Sequence, residues 1–302
     1  MSNVAVQMSM IDITLNIIIY VIDFGSLILD VRKLVVSLIL GIVEGLTEFL
    51  PISSTGHMIL VENVLNCMDD SVMAFTVIIQ LGAILSITKI FWNQLYGMGM
   101  ICIKKIFFKQ HDDNNHLCIR HILLGTVPGI MLGMVFYEKI GLIFELTYIM
   151  YGLIIGGIFL LVGELCVSTR ASCVSDINNI TYLQAFLIGC FQCLAFWPGF
   201  SRAGATIGGG LLVGLNRRIS SEFSFFLAVP IIFGSAVLTL YHYRSFIGLM
   251  DALLLIGSSI IAFVIALFTV RYFLKIVQNV SLIPFAIYRF LLAGGIYWGL
   301  MT

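Results

Sequence analysis

Residues 44–57 read EGLTEFLPISSTGH, with two carboxylates, three consecutive hydroxyls and a histidine in fourteen positions. Glu44 and Glu48 are four apart, so a helix presents both on one face, about 5–6 Å from each other. Such a pair caps a helix at an interface, shares a proton, or holds a cation. A hard divalent ion, Mg²⁺ or Ca²⁺, suits carboxylate and phosphate oxygens together. Pro51 ends the first helical stretch, and Ser53, Ser54 and Thr55 follow at an expected helix start, with Gly56 allowing a tight turn. Hydroxyls in that position are N-caps, and free N–H groups beside them form an anion site. His57 adds the group that exchanges protons near neutral pH. A lone buried histidine is more often structural, but this one stands beside acids and hydroxyls.

A second cluster, PGFSRAGATIGGG at 198–210, supplies what the first lacks. Arg202 is the only charged residue from Tyr182 to Asn216. An arginine isolated in an apolar stretch needs an anion. Its planar fork matches phosphate bidentately, and the bland alternative is an ion pair with Glu44 or Glu48. Ser201 and Thr206 add donors, and the glycines let the backbone approach closely. Together the clusters offer acid, base, hydroxyl and guanidinium, a set suited to phosphoryl transfer.

The elements that must position them belong to a membrane. Of the 302 residues 60% are hydrophobic and 11% charged, more apolar than the roughly 45–50% of soluble domains. Sixteen basic and sixteen acidic residues balance, and no basic patch with interleaved aromatics suggests nucleic acid. A spanning helix needs about 20 apolar residues, and runs at 71–92, 117–137, 143–166, 223–242, 246–270 and 281–301 qualify. Lys104, Lys105, Lys109 and Arg120 mark the first connector as cytoplasmic by the positive-inside rule. Within it, His111, His116, Cys118 and His121 could be read as zinc ligands, though a solvated connector is the stronger reading. Seven scattered cysteines argue against a disulfide framework. Cys190 and Cys193 form a CxxC that reads as helix packing.

Two apolar stretches, 34–65 and 183–216, are broken by a proline and a hydroxyl cluster instead of spanning. GIVEGLTEFLPISS (41–54) can be laid on GCFQCLAFWPGFSR (189–202) with one gap, pairing Gly41 with Gly189, Glu44 with Gln192, and Pro51 with Pro198. Broken helices repeated in two halves are the mark of an inverted repeat with the site at its interface. Residues 1–33 stand apart as an extra segment of undetermined role, carrying Asp12, Asp23 and Asp30 and no signal-peptide pattern. Residues 34–302 form one membrane domain.

EGLTEFLPISSTGH, FTVIIQLGAIL (75–85), PGFSRAGAT (198–206), SEFSFFLAVP (221–230) and IPFAIYRF (283–290) resemble the undecaprenyl-diphosphate phosphatase family, the bacitracin-resistance proteins of bacteria. The resemblance runs in order from about residue 34 to 300. It implies an all-α, multi-pass enzyme of the bacterial inner membrane, with six transmembrane helices and two re-entrant hairpins in an inverted repeat. Such an enzyme hydrolyses undecaprenyl diphosphate to the monophosphate and phosphate, recycling the lipid carrier of cell-wall synthesis, with a divalent cation and a site toward the periplasm.

Carried over by motif, the catalytic residues are Glu44, Glu48, Ser54, His57 and Arg202, with Glu44 and Glu48 as metal ligands. Ser53, Thr55, Ser201, Arg202 and Thr206 are expected to bind substrate. One departure is Ala203, where the family has a serine. The expected partners are the polyprenyl diphosphate, the bilayer and a second copy in a homodimer. Two schemes fit the bond-breaking step. Either Ser54 attacks phosphorus, activated by a carboxylate or His57, or it only donates a hydrogen bond while His57 serves water as base or is itself the nucleophile.

Three other classes compete. A secondary transporter shares the repeat logic but does not need Ser54, His57 and Arg202 together. The two-histidine lipid phosphatases need a second histidine soon after Ser-Arg, and the next here is His242. An intramembrane serine protease would leave the acids and the arginine without a purpose.

Overall fold

The computed structural model describes residues 31–65, 70–108, 117–140, 145–169, 173–244 and 249–301. The segment 1–30 and residues 109–116, with His111 and His116, lie outside them. Hydrocarbon offers the backbone no hydrogen-bond partners, so apolar runs satisfy their N–H and C=O groups internally, as helices. The helices are α1 (Val31–Thr47), α2 (Ser54–Val64), α3 (Asp70–Ile90), α4 (Trp92–Phe108), α5 (Ile119–Ile140) and α6 (Leu146–Thr169) in the first part of the chain. They continue as α7 (Tyr182–Gln192), α8 (Arg202–Leu212), α9 (Arg217–Tyr243), α10 (Leu249–Ile276) and α11 (Ile283–Met301).

Each of the six apolar runs contains a helix. Among the described residues α6, α9, α10 and α11 are long and apolar enough to cross a bilayer, and α3 joins α4 as a fifth candidate across a 78° bend. The apolar part of α5 is shorter, Ile119–Val135. The chain is a polytopic helical membrane protein.

The two broken stretches turn back on themselves. In each, a helix runs into a tight turn and an 11-residue helix leaves it, α1 to α2 and α7 to α8. Both exits are capped alike. Ser53 (φ 73°) and Ser201 (φ 76°) are the only non-glycine residues with positive φ among the described residues. Each Oγ accepts from the N–H three residues on, Gly56 at 3.3 Å and Gly204 at 3.0 Å. The caps are 148 residues apart, as are Gly41 and Gly189, so the turns correspond without the gap inferred from sequence. Pro51 therefore matches Gly199, whose φ of 87° no proline could adopt, and Pro198 matches Leu50.

Packing follows the same correspondence. Helix α10 lies against α1 and α3, and α5 against α7 and α9, while α3 meets α9 and α6 meets α11. Close approach is set by equivalent glycines. A Cβ on Gly41 would stand 2.6 Å from the Ser258 carbonyl oxygen in α10, and one on Gly189 would overlap the Gly125 backbone in α5. The turns meet in the protein interior, where Arg202 of the second reaches Glu48 of the first at 3.0 Å.

Candidate active site

Glu48 follows the last residue of α1 and still continues its hydrogen-bond ladder, its N–H donating to the Glu44 carbonyl at 3.0 Å. Its carboxylate is committed on both oxygens. Oε2 accepts from the Ser54 hydroxyl at 2.5 Å, and Oε1 from a guanidinium NH₂ of Arg202 at 3.0 Å. These three side chains come from the two turns, separated by 154 positions at the Glu48–Arg202 contact. Glu48 and Ser54 are buried. Hydrogen bonds to an ionised group are short and about twice as strong as neutral ones.

Arg202 opens α8. Its other NH₂ group donates to the Ser224 carbonyl of α9 at 3.1 Å, and its face lies 5.9 Å from the Phe49 ring centre. Its Nε has no protein partner although it is buried. That leaves the Nε–H and the second N–H of each NH₂ group for an anion. Thr206, one turn later, shares a 2.6 Å hydrogen bond with the Ser224 hydroxyl and donates to the Arg202 carbonyl at 2.9 Å. The hydroxyls expected to bind substrate are therefore partly engaged in holding the site. Ser53 and Ser201 cap α2 and α8, and Thr206 ties α8 to α9. Thr55 is half-buried on α2.

Glu44 differs from Glu48 in every respect but charge. It is fully buried and neither oxygen has a hydrogen-bond partner. The Glu48 carboxylate and Arg202 are its charged neighbours. Of the two acids, Glu48 has both oxygens in hydrogen bonds and Glu44 has neither. The two unpartnered carboxylate oxygens of Glu44 have the donor chemistry that a hard divalent ion would use. Among the described residues no group of three or more His, Cys, Asp or Glu side chains converges. Cys118 Sγ and His121 Nδ1 are 3.4 Å apart, in contact with the Tyr182 ring. Cys190 and Cys193 are free thiols, Cys190 being exposed.

His57 lies three residues beyond Ser54 on α2 but not in hydrogen-bonding partnership with it. Its Nδ1 is 2.7 Å from the Ser53 carbonyl and its Nε2 is 2.7 Å from the Tyr288 hydroxyl. Both ring nitrogens are therefore engaged, and it is Glu48 that accepts from the Ser54 hydroxyl.

Arg289 is the residue that reading the clusters missed. It is fully buried, and its guanidinium donates to five backbone carbonyls. Pro51 belongs to the first turn, Gly199 and Phe200 to the second, and Gly152 and Leu153 to α6. One side chain thus ties both strained turns to a spanning helix. The signal was present in IPFAIYRF, where an arginine interrupts an apolar span. A buried charge in a membrane is costly and is kept for a purpose.

The family model described as "Bacitracin resistance protein BacA" matches residues 37–295, which include every side chain of this site. A relative from Blochmanniella pennsylvanica (strain BPEN), named undecaprenyl-diphosphatase, is 90% identical over 295 residues. The alignment covers 98% of this chain and 100% of the relative.

Proposed function

The chain belongs to the bacitracin resistance protein BacA family, and from that premise we infer that it is an undecaprenyl-diphosphatase. It hydrolyses undecaprenyl diphosphate to undecaprenyl phosphate and inorganic phosphate, recycling the cell-wall lipid carrier and conferring bacitracin resistance. The observation that carries this reading to the level of chemistry is the Glu48 carboxylate held between Ser54 and Arg202.

Ser54 Oγ attacks the terminal phosphorus and its proton passes to Glu48 Oε2. The bridging P–O bond breaks, and the lipid monophosphate leaves with that oxygen. Water then cleaves the phosphoserine, and Ser54 recovers a proton from Glu48. Arg202 holds the phosphate through its free Nε–H and neutralises the charge that develops. The N–H groups at the start of α2 and α8, beside Ser53, Thr55 and Ser201, receive the phosphate oxygens. A divalent cation bound at Glu44 would shield the diphosphate and bring it against these donors.

The architecture we propose is six transmembrane helices with α1–α2 and α7–α8 as re-entrant hairpins of an inverted repeat, in the bacterial inner membrane. The paired caps, the equivalent glycine contacts and the exchange of α5 for α10 support it. Glu164, Arg217 and the Leu282 N–H meet at one end of the bundle, joining α6, α9 and α11. Arg217, Arg218, Arg271 and Lys275 gather at that end, so the positive-inside rule assigns it to the cytoplasm. The first hairpin then opens to the periplasm.

Phosphate release from the purified protein, supplied with a long-chain prenyl diphosphate in detergent or vesicles, tests the reading. Turnover is expected to stop in chelator and return with Mg²⁺ or Ca²⁺. No release with either ion overturns the assigned activity, and full turnover in chelator removes the cation alone. Trapping the enzyme by rapid quench and locating phosphate by mass spectrometry tests the Ser54 step.

A further inference from the structure

Ser224 of α9 has no place in the chemistry above, yet it holds Arg202 from two directions. Its carbonyl accepts from a guanidinium NH₂ of Arg202 at 3.1 Å, and its hydroxyl is 2.6 Å from that of Thr206, one turn along α8. A serine inside a helix commonly gives its proton to a carbonyl of its own helix. Ser221 does so to Arg217 at 2.8 Å and Ser258 to Leu254 at 2.7 Å. Ser224 reaches across to another helix. A hydroxyl has one proton to give, and Thr206 gives its own to the Arg202 carbonyl at 2.9 Å, with the Ala203 carbonyl at 3.3 Å. Ser224 is therefore the donor, and the bonds run from Ser224 to Thr206 to the backbone of α8. Both hydroxyl residues are fully buried. Phe225, the next residue of α9, braces a third side. Its ring meets Phe49 at 5.3 Å with the planes 80° apart, and Phe49 lies 5.9 Å from the guanidinium.

We propose that Ser224 is a positioning residue for Arg202, fixing the plane in which the guanidinium meets the phosphate. The proposal rests on the diphosphatase reading, in which the Nε–H and the spare N–H groups of Arg202 receive the diphosphate. Glu48, bonded at 3.0 Å, cannot set that plane alone, because a single hydrogen bond lets the guanidinium turn about it. The second hold, at the Ser224 carbonyl, removes that freedom. The Thr206 bond then keeps this carbonyl in register with the start of α8. Arg202 is the first residue of that helix, so a slip between α8 and α9 would move the root of the side chain away from the group that holds its tip. Bidentate recognition of phosphate depends on such alignment, and a misplacement of about 1 Å can cost on the order of a hundredfold in rate.

The test is Ser224→Ala in the purified full-length protein. Because Ser224 is the donor, its loss leaves Thr206 bonded to the Arg202 carbonyl and orphans no N–H or O–H, so the fold is expected to survive. Expected are a kcat/KM about tenfold lower and a melting temperature close to wild type. In an Arg202→Lys background the same substitution should cost less than about twofold, because the loss passes through the guanidinium. Wild-type kcat/KM in Ser224→Ala overturns the proposal. So does an equal loss in both backgrounds, which is what a merely structural weakening would give. If Ser224→Ala does not fold, Thr206→Val breaks the same bond from the other side at nearly constant volume, and the same comparison of backgrounds decides. A wild-type protein that releases no phosphate instead defeats the diphosphatase reading before any variant is made.

Discussion

The two turns share a backbone and divide the chemistry. Both leave an 11-residue helix behind a positive-φ serine whose hydroxyl takes the N–H three residues on. At matching positions, however, the first turn has Glu44, Glu48, Ser54 and His57, where the second has Gln192, Phe196, Arg202 and Ala205. One turn carries the two carboxylates, the hydroxyl bonded to Glu48 and the imidazole; the other carries the guanidinium. The same cap geometry stands at both helix starts, while the side chains beside it differ, so that neither turn alone carries the whole set. Strained positive-φ residues cost of order 1–3 kcal/mol each and persist where their surroundings enforce them. Here the enforcement is Arg289, which binds carbonyls of both turns.

Cutting that link has the largest expected effect. Arg289→Met removes the donor of five carbonyls, of which those of Gly152 and Leu153 keep their α6 helix partners while those of Pro51, Gly199 and Phe200 lie in the turns; each group left unsatisfied costs about 1–3 kcal/mol. The variant should be recovered poorly, melt far below wild type and show no turnover; a normal melting temperature with measurable turnover would show that the turns hold their shape unaided.

Next comes the acid of the first turn. Glu48→Gln keeps the volume but removes the proton acceptor of Ser54 and the counter-charge of Arg202. Loss of a general base costs roughly 10²–10⁴-fold, and kcat should fall by about a thousandfold or more. If Glu44→Gln gives the same loss with no change in cation requirement, the division of labour between the two acids is wrong. The expected result for Glu44→Gln is a higher concentration of Mg²⁺ or Ca²⁺ for half-maximal rate.

On the second turn, Arg202→Lys keeps the charge and discards the fork. Lysine cannot serve Glu48, the Ser224 carbonyl and a phosphate in one plane. A loss of about a hundredfold in kcat/KM is expected, roughly 2.7 kcal/mol of transition-state stabilisation; near-normal turnover would mean that the guanidinium does not hold the diphosphate. The smallest effect belongs to the shared caps. Glycine accepts positive φ without strain but loses the hydroxyl, so Ser53→Gly and Ser201→Gly should each shift stability by under about 1 kcal/mol. A much larger change at one cap than the other, by thermal melting, would break the equivalence of the turns.

What was readable in advance shares a physical origin. Apolar runs of bilayer length, and charges placed inside them, declare themselves locally, because hydrocarbon penalises each polar group wherever the chain folds. That is why the helices, both broken stretches, and Glu44, Glu48, Ser54, His57 and Arg202 could be picked out from residue types and spacing. The resemblance to a known family then attached a substrate to them.

Partnership is another matter, because it depends on which segments meet. Spacing alone made Glu44 and Glu48 equivalent, yet Arg202, 154 positions away, engages one and leaves the other unsatisfied. The spacing of His57 and Ser54 on one helix left a carboxylate or His57 to activate the serine, and in the folded chain the hydroxyl meets Glu48 while Tyr288, 231 positions away, meets the ring nitrogen. Proline matched to proline put a gap in the repeat that the backbone conformation does away with, since φ is a property of the turn and not of the letter. Arg289 was hardest to foresee, as its five acceptors are backbone carbonyls that any sequence possesses. A carbonyl becomes a specific ligand only when a turn is bent to aim it, and that aim exists only in the folded molecule.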